Sequence, residues 1–378
     1  MSAGLTVAVV GLGFGKEFVP IYMSHPEVAD VVLVEPDSPR RQELATAFGL
    51  GPGYSDLTEA LRDPQIDAVH ILAPVFLHAE MAIQALEAGK HVACAVPMAT
   101  SIEELERIID AQDRTGKNYM MMETTVFARE YQTVEAMLKA GEFGSLTLYR
   151  GFHIQNLDGF PSYWQGFPPM HYLTHALSPV LSLLDTTVES VRCLGAGALP
   201  DARKTGGFDN SFPSEVGLFR LRNSDVVADI TMSFFQTARK YIEGFALYGE
   251  FLGVEWPIDN EGDLTIFSMS APSVGKRGNP VETSSVSPQD HPELLPEALR
   301  PFVRPTDIQL SGMERPVRVG ADHGGSHPHL VHEFISSITE RRKPLIDAQR
   351  SARWTAPGIC AHQSALAGGA PIDVPTFE

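Results

Sequence analysis

Cysteine is scarce in this 378-residue chain: only Cys94, Cys193 and Cys360 occur, and no two stand in a CxxC spacing. A disulfide framework and a zinc knuckle are therefore excluded, and reduced, mostly buried thiols are expected. No segment offers the roughly 18 uninterrupted apolar residues that a membrane span requires, and the first residues lack a basic stretch followed by a long apolar run. A cytoplasmic protein with no membrane partner is expected. Positive charge is also short, with 29 Lys and Arg against 47 Asp and Glu and a formal net charge of -18. Such a chain repels phosphate backbones, which argues against nucleic acid as a partner. No internal repeat is visible.

What is present is a globular composition, 43% hydrophobic and 20% charged, in a chain too long for one ordinary core. Two domains are expected, 1–122 and 123–378. Residues 5–10 form a short β-rich run that ends at Gly11-Leu12-Gly13-Phe14-Gly15-Lys16, after which the spacing turns helical. A strand, glycine turn and helix in that order let the backbone approach a pyrophosphate at a helix N-terminus. The usual fingerprint is GxGxxG; here the third glycine falls one place early, at Gly15, and Lys16 takes the packing position. The next strand, Val31–Val34, ends at Glu35, at the right distance for a carboxylate that binds the adenosine ribose hydroxyls and repels a 2′-phosphate. NAD is expected over NADP, with Arg40 and Arg41 close enough to weaken the preference. Strands at 68–72 and 91–94 alternate with helices at 40–48 and 78–88, which implies a parallel, doubly wound α/β sheet. Ligands collect at the carboxyl ends of such strands, so Pro74, His78 and Pro97, with Ala95 and Val96, should line the nicotinamide end.

From about 145 to 255 the periodicity is largely two, predicting a second, α+β domain with a large, mostly antiparallel sheet, one face under helices and the other open to an oligomer interface. Residues 156–169 are rich in Gly, Pro and aromatics, and Tyr163 and Trp164 are candidates for stacking on a substrate ring. Glu123 and Arg129 are further substrate candidates. Residues 270–305 read as a long loop or insertion. The run His323–His329 reads as a glycine-rich entry to a helix at 330–341, with His327 a candidate substrate contact.

The glycine turn, Ala73-Pro74-Val75-Phe76-Leu77-His78-Ala79-Glu80 and Glu87-Ala88-Gly89-Lys90-His91-Val92 closely resemble the Gfo/Idh/MocA family of NAD(P)-dependent sugar oxidoreductases. The chain departs from it twice. The family's Glu-Lys-Pro is here Ala95-Val96-Pro97, without the proton-handling lysine, and its Asp-x-x-x-His is here His171-Tyr172-Leu173-Thr174-His175. Tyr172-x-Thr174-His175 followed by Pro179 is instead similar to the family's NAD-dependent glycosidases, which also tend to lack the lysine. The resemblance implies a sugar or glycoside substrate and a homo-oligomer, dimer or tetramer.

Hydride transfer from a sugar carbon needs a base for the hydroxyl proton. On a helix, positions 171 and 175 share a face and Tyr172 adjoins them. His175, titrating near neutrality, is the expected base; Tyr172 is expected to take the proton from carbon 2 once carbon 3 is a ketone, and His171 to orient the substrate. This gives a glycoside hydrolase that oxidises carbon 3 transiently, eliminates the aglycone, adds water and recycles NAD, with a sulfoquinovoside as one candidate substrate. A net sugar or glycoside 3-dehydrogenase, and a non-catalytic NAD-binding sensor or partner subunit, remain open. Two histidines at i, i+4 could ligate a metal, but with no HExxH glutamate and no nearby cysteine or carboxylate in sequence, none is expected.

Overall fold

A computed structural model describes residues 4–259, 262–269, 278–309, 316–319 and 323–377. The chain divides into two compact units. Described residues up to Phe127, together with those of Asp290–Ala352, form the first; those of Ala128–Gln289 and Arg353–Thr376 form the second. The first division thus falls five residues beyond the expected 122/123 boundary, and residues 290–352 join the N-terminal unit instead of the second domain. The physical reason lies in side chains at the far end of the chain. Asn118 donates to Ser337 and to the Arg342 carbonyl, and His25 meets His332 at 3.1 Å.

In the first unit, β1 (Leu5–Val10), β2 (Val28–Val34), β3 (Ala68–Ile71), β4 (His91–Cys94) and β5 (Tyr119–Met121) form a parallel sheet in the order β2-β1-β3-β4-β5. β3 is buried along its whole length, as expected where both faces of a parallel sheet are covered. The helix expected after the glycine turn is broken: α1 (Leu12–Gly15) stops after one turn and α2 (Val19–Ser24) restarts with Pro20 in its first turn, where its missing N–H costs nothing. Then come α3 (Ser38–Phe48), capped by Asp37, α4 (Leu57–Leu61), α5 (His78–Glu87) and α6 (Ile102–Thr115), which opens with a Ser101/Glu104 capping box.

The second unit begins with α7 (Arg129–Lys139). Its sheet uses β6 (Leu146–Ile154), β7 (Val188–Ala196), β8 (Ser214–Leu221), β9 (Val227–Ser233), β10 (Ile242–Gly249), β11 (Leu252–Glu255), β12 (Leu264–Met269) and β13 (Val281–Val286). The chain then forms the first unit's β14 (Thr306–Ile308) and β15 (Val317–Val319), which pair with each other, while β16 (Ile372–Asp373) completes the nine-stranded sheet beside β7. The order is β13-β12-β11-β10-β6-β9-β8-β7-β16, and β6 with β9 is its parallel pair. Of the expected loop at 270–305, residues 270–277 lie outside the described residues; 278–305 are not a loop but hold β13, paired to β12, and two 3₁₀ turns.

One face of the large sheet is covered by α8 (Thr174–Leu183), which lies on β6, β9 and β10. The contact is at backbone distance: a Cβ at Gly151 would stand 2.0 Å from the Ala176 carbonyl oxygen, which also accepts the Tyr149 hydroxyl at 2.6 Å. The opposite face leaves Leu148, Leu194, Val216, Leu218 and Val227 exposed. The remaining helices are α9 (Ser326–Thr339), starting four residues earlier than the sequence suggests, and α10 (Ala348–Leu366). All three cysteines are buried free thiols. Burial pushes the Cys94 thiol up to about 12 and Cys360 to about 11, and raises Cys193 as well.

Candidate active site

At the cofactor end of the first unit, the Glu35 side chain is buried beyond β2. One carboxylate oxygen accepts the Leu12 N–H at 2.8 Å and the other the Asp37 N–H at 3.1 Å, with Arg40 at 3.5 Å. Arg41 is engaged by the backbone, its guanidinium donating to the carbonyls of Glu35 and Pro52. Gly11 has φ +88°, and a Cβ on Gly13 would meet nothing within 4 Å, leaving that backbone open to a ligand. A Cβ on Gly15 would meet Val9 Cγ1 at 3.0 Å and Leu72 Cδ1 at 3.2 Å. Gly15 therefore does the strand-packing that the sequence pattern assigns to the next position, so the early third glycine keeps its function. An open glycine backbone and a buried carboxylate at the strand end fit the pyrophosphate and adenosine ribose of NAD.

His78 is a post between two turns of the first unit, its ring nitrogens 2.8 Å from the Pro97 carbonyl and 2.9 Å from that of Ala73. Burial holds its imidazole below the ordinary range despite both carbonyls. It thereby ties Pro74, which leads into a 3₁₀ turn, to Pro97, which follows a cis peptide. His327, at the start of α9, is fully buried against Phe18 (ring centroids 4.5 Å) and Phe14 (5.7 Å), so the structure places it beside the glycine turn. Glu123, also fully buried, accepts the Thr125 N–H at 3.0 Å.

The second unit gathers a different cluster. Tyr172 and His175 meet with ring centroids 5.1 Å apart, and His153 on β6 adjoins both, at 5.5 and 5.4 Å. Glu243 on β10 brings a carboxylate oxygen to 3.6 Å from His175 Nδ1, and that same oxygen accepts the Tyr241 hydroxyl at 2.6 Å. His153, His175 and Glu243 are all buried, and their donor atoms lie within 4.8 Å of one another. The fold thus brings to His175 a carboxylate that the neighbouring sequence does not supply. Three donors are one short of a closed tetrahedral site and equal in number to the protein ligands of a catalytic metal site; the tyrosine hydrogen bond also fits a chain of proton-handling groups.

Residues 171 and 175 do not share a helical face. Pro169–Tyr172 is a 3₁₀ turn, pinned where the Met170 N–H donates to Glu215 at 2.8 Å, and α8 starts only at Thr174. His171 instead packs edge-on against His362, which is held between Glu215 at 2.7 Å and the Asp209 carbonyl at 2.9 Å. Burial, then the neighbouring His362, lowers the His171 imidazole to about 3. The structure thus brings Tyr172 and His175 together and puts His171 in the packing beneath.

Trp164 stacks edge-on to Tyr172 at 5.7 Å and to Phe167 at 5.2 Å, with Tyr163 at 5.8 Å, so the aromatic segment forms a wall beside Tyr172. Arg129 Nε lies 3.2 Å from Glu130, whose carboxyl is raised by burial, lowered by Arg129 and raised again by the charge of Glu243. Glu243 and Tyr241 were not among the residues the sequence pointed to. The two-residue spacing of Tyr241, just before β10, and Glu243, on it, was the available signal.

Residues 5–123 match the oxidoreductase family whose description is GFO_IDH_MocA, NAD-binding Rossmann fold. The chain carries the Rossmann domain of the Gfo/Idh/MocA oxidoreductases. A glycosyl hydrolase family 109 protein of Porphyromonas gingivalis is 32% identical over 198 residues, 47% of this chain and 42% of that protein. One from Streptomyces niveus is 24% identical over 98% of this chain and 77% of its own length. The chain spans less than half the length of the first curated relatives it matches, 43% for an oxidoreductase of Rhizobium meliloti. Levoglucosan dehydrogenase in complex with NADH and levoglucosan shares the fold, with a TM-score of 0.78 at 20% identity, covering 98% of this chain and all of that one.

Proposed function

We propose that this Gfo/Idh/MocA protein is an NAD-dependent glycosidase that cleaves a glycosidic bond through transient oxidation at sugar carbon 3. The observation that carries the reading is the contact of Tyr172 with His175, backed by Glu243, in a chain with Val96 where the family lysine belongs. NAD, when bound, accepts the hydride and returns it. His175 takes the hydroxyl proton of the carbon being oxidised. Tyr172 removes the proton on carbon 2, made acidic by the adjacent ketone, as the group on carbon 1 leaves; water then adds at carbon 1. Trp164 and Tyr163 supply aromatic faces for the sugar. This differs from the paired-carboxylate route of most glycosidases.

The narrower substrate candidate, a sulfoquinovoside, needs a cation for its sulfonate. Arg203 is closed on Asp158 at 2.6 and 2.7 Å and Lys204 on Asp201 at 3.3 Å, so neutral glycosides share first place in the test. The open apolar sheet face supports a homo-oligomer, checked by light scattering, and the buried free thiols support a cytoplasmic setting. The experiment is incubation with neutral and sulfonated nitrophenyl glycosides and catalytic NAD, following nitrophenolate and NADH together. Nitrophenolate over many turnovers without net NADH is the expected result. Stoichiometric NADH without nitrophenolate replaces the glycosidase with a sugar 3-dehydrogenase; neither product leaves a non-catalytic NAD-binding protein.

A further inference from the structure

We propose that Glu243, itself held by Tyr241, is the positioning carboxylate of the base: it fixes His175 with Nδ1 protonated, so that Nε2 is the nitrogen that accepts the substrate proton. The inference rests on the reading of His175 as the base. Three observations carry it.

The first is which nitrogen faces the acid. It is Nδ1 of His175 that lies 3.6 Å from the Glu243 oxygen, so a proton shared there selects the tautomer and directs Nε2 elsewhere. The distance is longer than a mature hydrogen bond, as is common for catalytic contacts without substrate. The second is how rigidly the acid is placed. Glu243 faces His153 directly across the β6–β10 ladder, on the face that α8 covers, and its oxygen is anchored by the Tyr241 hydroxyl at 2.6 Å. The third is the cost of the arrangement. Both side chains are nearly inaccessible, and an ionised carboxylate in such a place is expensive unless its hydrogen-bonding capacity is filled. Tyr241 fills part of it, and an imidazolium formed on His175 during turnover adds to it.

In the oxidation step, the carbon-bound hydrogen leaves with its electron pair to NAD, the hydroxyl proton passes to His175 Nε2, and the carbon–oxygen bond becomes double. The positive charge on His175 then lies beside Glu243. Within the second unit the groups facing this imidazole include Tyr172 on its own segment, His153 on β6 and Glu243 on β10, and Glu130 on α7 and Tyr241 act on Glu243. His153 serves best neutral, because a second cation would oppose the charge His175 must take up.

The test uses the full chain labelled with ¹⁵N-histidine, with His175→Ala to assign the resonance. Wild type above neutrality should show His175 protonated on Nδ1 and unprotonated on Nε2. In Glu243→Gln the imidazole should titrate about one unit lower or more, since the stabilising negative charge is gone. On whichever glycoside wild type turns over, Glu243→Gln should lose about tenfold or more in kcat, with KM little changed and the acid limb of the pH profile displaced downward, and Glu243→Asp should recover part of the rate. An Nε2-protonated His175 in wild type overturns the proposal, and this measurement needs no variant that folds. So does an unchanged tautomer and titration in Glu243→Gln, or one divalent ion per wild-type chain that Glu243→Gln loses. Because the spectra need no substrate, failure of the glycosidase reading and failure of the Glu243 role are told apart.

Discussion

His153 and Glu243 stand opposite each other across the antiparallel pairing of β6 and β10, both on the face that α8 covers. A one-residue slip of either strand turns its member of the pair to the open face. The sheet register, more than any loop, therefore sets the spacing of the groups around His175.

Tyr172 and His171 are neighbours with different surroundings, and substitution separates their proposed roles. Tyr172→Phe keeps the ring in contact with His153, His175 and Trp164 and removes only the hydroxyl. It should cost about 100-fold or more in kcat with Tm preserved. His171→Phe should instead be read mainly in thermal unfolding, with kcat within a few-fold of wild type. Steady-state kinetics and calorimetry on the two proteins decide it.

Glu35 is the proposed determinant of cofactor choice. Glu35→Ala frees the Leu12 and Asp37 amides and removes the charge that repels a 2′-phosphate. NAD affinity should fall and the NAD-to-NADP ratio should shift toward NADP by about tenfold, measured by fluorescence titration. Gly13→Ala, with open space around the new methyl, should leave Tm unchanged while weakening NAD, provided the pyrophosphate lies there.

Gly151→Ala sets a methyl against the backbone of α8. With the Ala176 oxygen at 2.0 Å and Ile230 Cδ1 at 2.8 Å, the helix has to lift from the sheet. A loss of about 3 kcal/mol or more is expected in urea unfolding, at the upper end for overpacked cores. Gly15→Ala, whose new neighbours are side-chain atoms at 3.0 and 3.2 Å, should cost less, about 1–2 kcal/mol.

Stability should fall on both sides of neutrality. His70 and His171 are held near 3 and His25 near 4 by burial first, so the unfolded chain binds protons that the native one refuses; stability is lost as pH falls below about 6.5. His362 is the reverse. Burial lowers it, but the Glu215 hydrogen bond and charge and the Asp209 carbonyl outweigh that and raise it, so its contribution is full below about 6.5 and fades as pH climbs through the raised value. Thermal melts from pH 4 to 9 should show a maximum, and His362→Gln should flatten the alkaline side alone.

The local signals in the sequence carried far where they were continuous. The strand before Gly11 and the carboxylate after Val34 led directly to the parallel sheet and to Glu35, and the period-two runs from 145 led to the large sheet. What was not legible depended on contacts between distant segments. The return of 290–352 to the first unit rests on pairs such as Asn118 with Arg342, which no local pattern announces. Two prolines and a glutamate 45 residues downstream turn 169–172 into a 3₁₀ segment, so a helical-face argument paired His171 with His175 where Tyr172 is the true neighbour. Glu243 was hidden because a charged residue at a strand end reads as solvated until its cross-strand partner is known.

The three buried thiols have a practical side. With their ionisation suppressed and their sulfur atoms covered, Cys94, Cys193 and Cys360 should be slow to react with maleimides while the fold is intact. A cysteine introduced at exposed Ser162, next to Tyr163 and Trp164, becomes the fast-reacting position. A fluorophore there tests whether the aromatic wall responds to sugars in an otherwise native protein.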